Sequence, residues 1–174
     1  SVYGIQARYL AKYLVEEGHK IAFFPFDDLR GGPITIGEVP FYPGVGGPFG
    51  SDVLPGHIND FRADIVLSLM DIQPIHPNYR AQMPVPWLAW FPVDQSPPSR
   101  ELIAISKSVD FAAVPSRFGM NELLKQNVNA SYVPPGINTD TFCITNKYAA
   151  RDKLGLPQDA FIVIMASPNA GYPN

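Results

Sequence analysis

Cysteine is nearly absent from this chain. Cys143 is the only one in 174 residues, so no internal disulfide can form and no cysteine-built zinc site is available, which fits a reducing compartment. Basic charge is thin and scattered: 13 Lys and Arg face 16 Asp and Glu, for a net charge of -3. With no run of Lys or Arg, there is no stripe for a nucleic-acid backbone and no polybasic patch for a membrane, so nucleic acid is not expected as a partner. Long apolar runs are missing as well. No stretch approaches the roughly 20 residues of a membrane span and no signal-peptide pattern opens the chain, so the expected location is cytoplasmic, with peripheral contact at the inner face of a membrane left open. His19, His57 and His76 show no metal-ligand spacing, and no bound metal is expected. No methionine precedes what reads as a helix from the first residues, so the amino terminus is expected to be cut.

What the chain does have is 46% hydrophobic residues against 17% charged, enough for a packed core at this length. Ile5, Tyr9, Leu10, Tyr13 and Leu14 recur at helical spacing, and Gly18 is placed to end that helix. "HKIAFFPF" (19–26) reads as a buried strand. Residues 27–50 are rich in Gly and Pro around the short alternating piece "ITIGEVPFY", which predicts a hairpin outside the core sheet. Ser51 or Asp52 can cap a helix carrying Val53, Leu54, Ile58 and Phe61. Buried strands are expected in "ADIVLSLMD" (63–71), "MPVPWLAWFPVD" (83–94) and "VDFAAVPS" (109–116), with "ASYVPPG" (130–136) closing the series. Helices are expected in "SRELIAIS" (99–106), capped by Ser99, and in "FGMNELLKQN" (118–127). Strands alternating with helices, several strands apolar throughout, predict an α/β fold: a Rossmann-like parallel sheet with helices on both faces.

After Gly136 the pattern changes to a polar crossing segment, a short helix near Tyr148 to Leu154, and the apolar run Phe161 to Met165, read as one more buried strand. The expected division is a first domain over 1–143 and the start of a second over 144–174. Arg151 and Lys153 read as a solvated helix face.

Open α/β sheets hold their ligands beyond the carboxyl ends of the strands. Asp94 stands directly beyond the strand in 83–94, where its carboxylate either points into that crevice or bonds its own backbone in a turn. Asp71 has the same position after the preceding strand and a weaker case. "GVGGPFG" (44–50) is not a dinucleotide fingerprint, because G-x-G-x-x-G from Gly44 needs glycine where Phe49 stands. It reads instead as a ligand-contacting loop or a plain hairpin turn.

Three stretches in this order, "YGIQARYLAKYLVEEGHKI", "FGMNELLKQ" followed by "YVPPGINTDTF", and "RDKLGLPQDAFIVIMASPN", resemble the amino-terminal half of retaining nucleotide-sugar glycosyltransferases of the GT-B architecture, family 4. The resemblance runs nearly end to end. It implies two facing Rossmann-like domains, the first holding the acceptor and the second the nucleotide-sugar donor. It also implies that the first strand of the sheet lies before Ser1 and that Phe161 to Met165 begins the second sheet, unless that run folds back into the first. Under this reading the acceptor contacts are expected at Gly4 and Gln6 in the first turn and at Gly47, Gly50, Ser51 and Asp52 in the loop. A catalytic part is expected for Asp94 from its place beyond the strand end, since the family's histidine role does not transfer to it. Asn169 is its one donor-side candidate. Val2 departs from the family's usual glycine, and Asp94 stands in a region where many members have histidine. The implied partners are a nucleoside-diphosphate sugar and a glycan, lipid or small-molecule acceptor, with no further cofactor. Two rivals stand beside this reading: a sugar-nucleotide epimerase of the same architecture, and a non-enzymatic α/β module binding a sugar or a partner.

Overall fold

A computed structural model describes residues 2–25, 29–44 and 48–165, in two compact units divided after Gly136. The first unit opens with helix α1 (Val2–Glu16), followed by the hairpin β1 (Ile34–Ile36) and β2 (Val39–Phe41). Then come α2 (Leu54–Phe61), β3 (Val66–Leu69), β4 (Trp87–Trp90), α3 (Arg100–Ser108), β5 (Phe111–Val114), α4 (Arg117–Lys125) and β6 (Ala130–Tyr132). Strands β3 to β6 form one four-stranded sheet in sequence order, and every neighbouring pair is parallel. The architecture is α/β, a parallel sheet flanked by helices, consistent with a Rossmann-like fold.

The helices start where side-chain acceptors sit. Ser99 Oγ accepts from the Leu102 N–H and Ser116 Oγ from the Gly119 N–H, each relieving an orphan donor of the first turn. Helix α2 differs from expectation. Its cap position is Val53, which makes no side-chain cap bond, and a proline in the first turn supplies no N–H that needs one. Neither Ser51 nor Asp52 caps it.

The core gathers on one sheet face. Trp87, Ala89, Ala112 and Val114 are buried there with Phe91, Leu102, Ile105 and Leu123, and Ile72 and Ile75 close it from the β3–β4 connection. Trp87 donates its indole N–H to Ser68 Oγ on the neighbouring strand at 2.8 Å. Strand β3 was expected to be buried but is only partly so, because it lies at the sheet's edge and its Leu67 is exposed. Helix α1 forms as expected, although Ile5 and Tyr13 of its apolar stripe are exposed.

The segment 19–26 is the clearest departure in this unit. Its described part joins no strand of the four-stranded sheet. Phe23 instead forms a single parallel bridge to the hairpin, its N–H bonding the Pro40 carbonyl at 2.9 Å and its carbonyl accepting from the Tyr42 N–H at 2.8 Å. The Phe23 and Phe41 rings stack 4.9 Å apart over this bridge. Pro25 lacks an N–H and cannot extend the ladder. The predicted hairpin is present, turning through Gly37 at φ 63° with β1 and β2 antiparallel.

At the amino ends of the strands, Asp110 ties β5 to β4. It accepts the Trp87 backbone N–H at 2.7 Å and meets the Arg80 guanidinium with both oxygens, at 2.6 and 3.1 Å. The Arg80 hydrogen bond first, and the Trp87 N–H second, hold its carboxyl below the usual carboxylate range. The folded pKa is therefore depressed. The stability contributed by Asp110 is present above the unfolded value of about 3.9 and is lost as pH falls through the folded one. Asp110→Asn is expected to flatten the fall in urea midpoint below about pH 4; an unchanged acid limb would show that Asp110 carries none of it.

In the second unit, Asn138 Oδ1 accepts from the Asp140 and Thr141 N–H groups, and α5 (Lys147–Leu154) is capped by Asn146 and closed by Gly155 at φ 65°. Arg151 is not simply a solvated residue: it is half-buried and donates to the carbonyls of Pro157, Gln158 and Ala160. The run Phe161 to Met165 forms no strand, and Phe161, Val163, Ile164 and Met165 are exposed. Without a paired neighbour its backbone has no ladder to join, so β-forming residues alone do not make a strand.

Candidate functional site

Strands β3 and β4 end side by side, with Leu69 opposite Trp90, and each chain then leaves the sheet toward an aspartate. Two residues past Leu69 comes Asp71, and four past Trp90 comes Asp94, both exposed. The first turn of α1 sits beside them, where Tyr3 donates its hydroxyl to Asp71 Oδ1 at 2.9 Å. Burial, the Asp71 hydrogen bond, the Asp71 charge and the Asp94 charge together push the Tyr3 pKa up to about 12. Tyr3 therefore stays a neutral donor across the physiological range. The sequence brings a phenol and two carboxylates from three separate segments to the carboxyl edge of the sheet, where parallel sheets place ligands.

Gly4 follows Tyr3 in the same turn and is exposed, while Gln6, three residues on from Tyr3 and so on the same side of the helix, is half-buried. The loop candidates separate. Gly47 and Asn169 lie outside the described residues. Gly50 is buried at φ 63°, and a Cβ there would stand 2.2 Å from Cζ of Phe24, so the close approach of this glycine is to an aromatic ring. Ser51 is half-buried and Asp52 exposed in the turn before α2. Tyr79 anchors this loop by donating to the Phe49 carbonyl at 3.0 Å, and burial followed by the Asp52 charge pushes its pKa up to about 12. Phe49 itself takes the left-handed conformation, φ 53°.

Behind Asp94, its loop is fastened to α4. Ser96 Oγ donates to Glu122 Oε2 at 2.8 Å, and the other oxygen of Glu122 meets Lys125 Nζ at 2.5 Å. The Lys125 bond first, then the Ser96 bond, hold the Glu122 carboxyl below the usual range. The Ser96–Pro97 peptide is cis. Among the described residues, no group of three His, Cys, Asp or Glu side chains is arranged to hold a metal ion, and no helix is long and apolar enough to cross a membrane.

Sequence reasoning did not single out Tyr3 or Glu122. The signal for Tyr3 was its place next to Gly4 in the turn already under suspicion. For Glu122 it was a carboxylate inside the buried stripe of α4, between Gly119 and Leu123. Comparison with protein-family models and with curated proteins finds no significant match for this chain.

Proposed function

We propose that this chain is the acceptor-side part of a retaining, GT-B type glycosyltransferase of the family 4 kind, which moves a sugar from a nucleoside-diphosphate donor to an acceptor hydroxyl. The observation that carries the reading is the Tyr3–Asp71 hydrogen bond at the carboxyl ends of β3 and β4, the edge beyond which Asp94 follows β4 and where its charge is felt by Tyr3. The sequence resemblance supports it, and the fold is compatible with it. Exposed carboxylates suit sugar or polyol hydroxyls, which are donors, and Asp94 is the one we assign to the acceptor hydroxyl, with Gly4 and Gln6 flanking the entry. Holding that hydroxyl in line supplies proximity, which is the main chemical contribution this unit can make. The donor pyrophosphate would be held by a second domain, without a required metal, in a cytoplasmic protein that can lie against a membrane.

The test is incubation of the full-length protein with labelled nucleotide sugars and an acceptor panel. Transfer is expected, and Asp94→Asn is expected to lower kcat/KM about 10-fold to 100-fold, the loss of one charge-assisted hydrogen bond. Isomerisation of the donor without transfer would replace this reading with the epimerase, and binding without turnover would replace it with the sugar-binding module.

A further inference from the structure

We propose that Glu122, acting through Ser96, is a positioning residue for Asp94. The catalytic meaning of this inference rests on the role just assigned to Asp94, but the mechanical claim does not. The loop from Asp94 to Pro97 is exposed along its whole length, so packing does little to fix it. Its two flanks, however, are both held by one helix. On the strand side, Gly119 of α4 lies so close to Val93 that a Cβ at 119 would stand 3.0 Å from the Val93 Cβ. On the far side, Ser96 bonds Glu122, one turn further along α4. Asp94 and Gln95 are the short span between these two anchors.

The chemistry of Glu122 argues that this contact is its purpose. The residue is only 5% exposed, between Gly119 and Leu123 on the inward side of α4. A leucine would satisfy that position at no desolvation cost, whereas a carboxylate there needs both oxygens partnered. Lys125 supplies one partner from the same helix, in a bond needing no other element. Ser96 supplies the second, and it is the bond that reaches out of the helix to the Asp94 loop. Ionised Glu122 can only accept, so it fixes the direction of the Ser96 hydroxyl and with it the course of the backbone two residues from Asp94.

Four variants of the full chain test this: Ser96→Ala, Glu122→Leu, the two combined, and Glu122→Gln, which keeps an acceptor oxygen. The readouts are the Asp94 and Gln95 amide resonances with their relaxation, the urea midpoint, and sugar transfer. Ser96→Ala and Glu122→Leu are expected to shift and broaden the two amides. Ser96→Ala, which leaves one Glu122 oxygen unpartnered, should also lower the urea midpoint, whereas Glu122→Leu should leave it unchanged or raise it. The double variant should go no further than either single, and Glu122→Gln should restore much of the native signal. Transfer should fall about 10-fold to 100-fold, carried by kcat, as misplacement of a reacting group implies. Unmoved amides in folded Ser96→Ala, or effects of the singles that add in the double, would overturn the inference. Amides that respond as expected in a protein that transfers no sugar would uphold the clamp and overturn the function proposed for Asp94.

Discussion

Trp87→Ala is expected to remove about 3–5 kcal/mol of folding stability, the usual cost of truncating a buried Trp. The indole is 1% exposed and packs its edge against Tyr79 with ring centroids 5.8 Å apart. It lies in β4, an interior strand with parallel partners on both sides, so no rim can collapse into the space it leaves. Its N–H bond to Ser68 adds a smaller part, because Ser68 would be left with a half-buried hydroxyl. Trp87→Phe separates the two contributions: it keeps most of the volume, gives up the hydrogen bond, and should cost only about 1–2 kcal/mol. Urea unfolding followed by far-ultraviolet circular dichroism measures both. Since a domain holds roughly 5–15 kcal/mol in all, the alanine variant should lose a large share of its stability and unfold at a clearly lower urea midpoint. A loss below about 1 kcal/mol would mean that the indole is not packed as described.

The second large effect is expected at Gly50. Alanine there meets two separate penalties. The backbone stands at φ 63°, a left-handed conformation that costs a residue with a Cβ about 1–2 kcal/mol. The new methyl would also fall 2.2 Å from the tip of the Phe24 ring, so the ring must leave its place, an overpacking cost of about 1–3 kcal/mol. Together these give about 2–5 kcal/mol. Gly37 is the control, since it has the same φ of 63° but nothing within 4 Å of a Cβ. Gly37→Ala should show the backbone penalty alone. If Gly50→Ala costs no more than Gly37→Ala, the Phe24 contact contributes nothing; if shortening Phe24 to leucine in the Gly50→Ala background recovers the difference, the contact is its source. The result also bears on function, because a glycine needed for packing against Phe24 is not free to be read as a glycine needed by a ligand.

The order of elements from Leu54 to Tyr132 was legible because each of them carries its own evidence. Ser99 announces α3 by standing where a helix needs an acceptor, and the structure uses it; Ser116, read as the end of a strand, turns out to cap α4 in the same way. The apolar cores of β4 and β5 are long enough and flanked by turn residues, so their burial follows from composition. The strand expected over 19–26 was misjudged, and the run 161–165, read as the start of another sheet, is unpaired among the described residues, for one shared reason. Residues 19–25 and 161–165 have the residues of a strand, but a strand is made by its neighbours, and local sequence does not name them. Among the described residues, Phe23 bridges the hairpin and Phe161 to Met165 pair with no strand.

At the candidate site the same division appears. That Asp71 and Asp94 lie beyond strand ends could be read from the position of each in its own segment. That Tyr3, 68 residues earlier, reaches Asp71 could not, because it depends on where the start of α1 sits over the sheet. The tie from Ser96 to Glu122 crosses 26 residues and was hidden for the same reason, although a carboxylate in an apolar stripe was a visible anomaly.

Strand β4 also makes the chain a natural optical probe of its own interior. Both of its tryptophans, Trp87 and Trp90, fall within those four residues, and the strand's alternation sends them to opposite faces of the sheet. Their surroundings differ in kind. Trp87 is hydrogen-bonded to Ser68, whereas the buried Trp90 N–H has no hydrogen-bond partner among the described residues. All of the chain's tryptophan emission therefore comes from the one strand that leads to Asp94. Trp87→Phe leaves a fluorophore on the Trp90 side alone and Trp90→Phe leaves one on the Trp87 side alone, so the two faces of the sheet can be followed separately without any attached label.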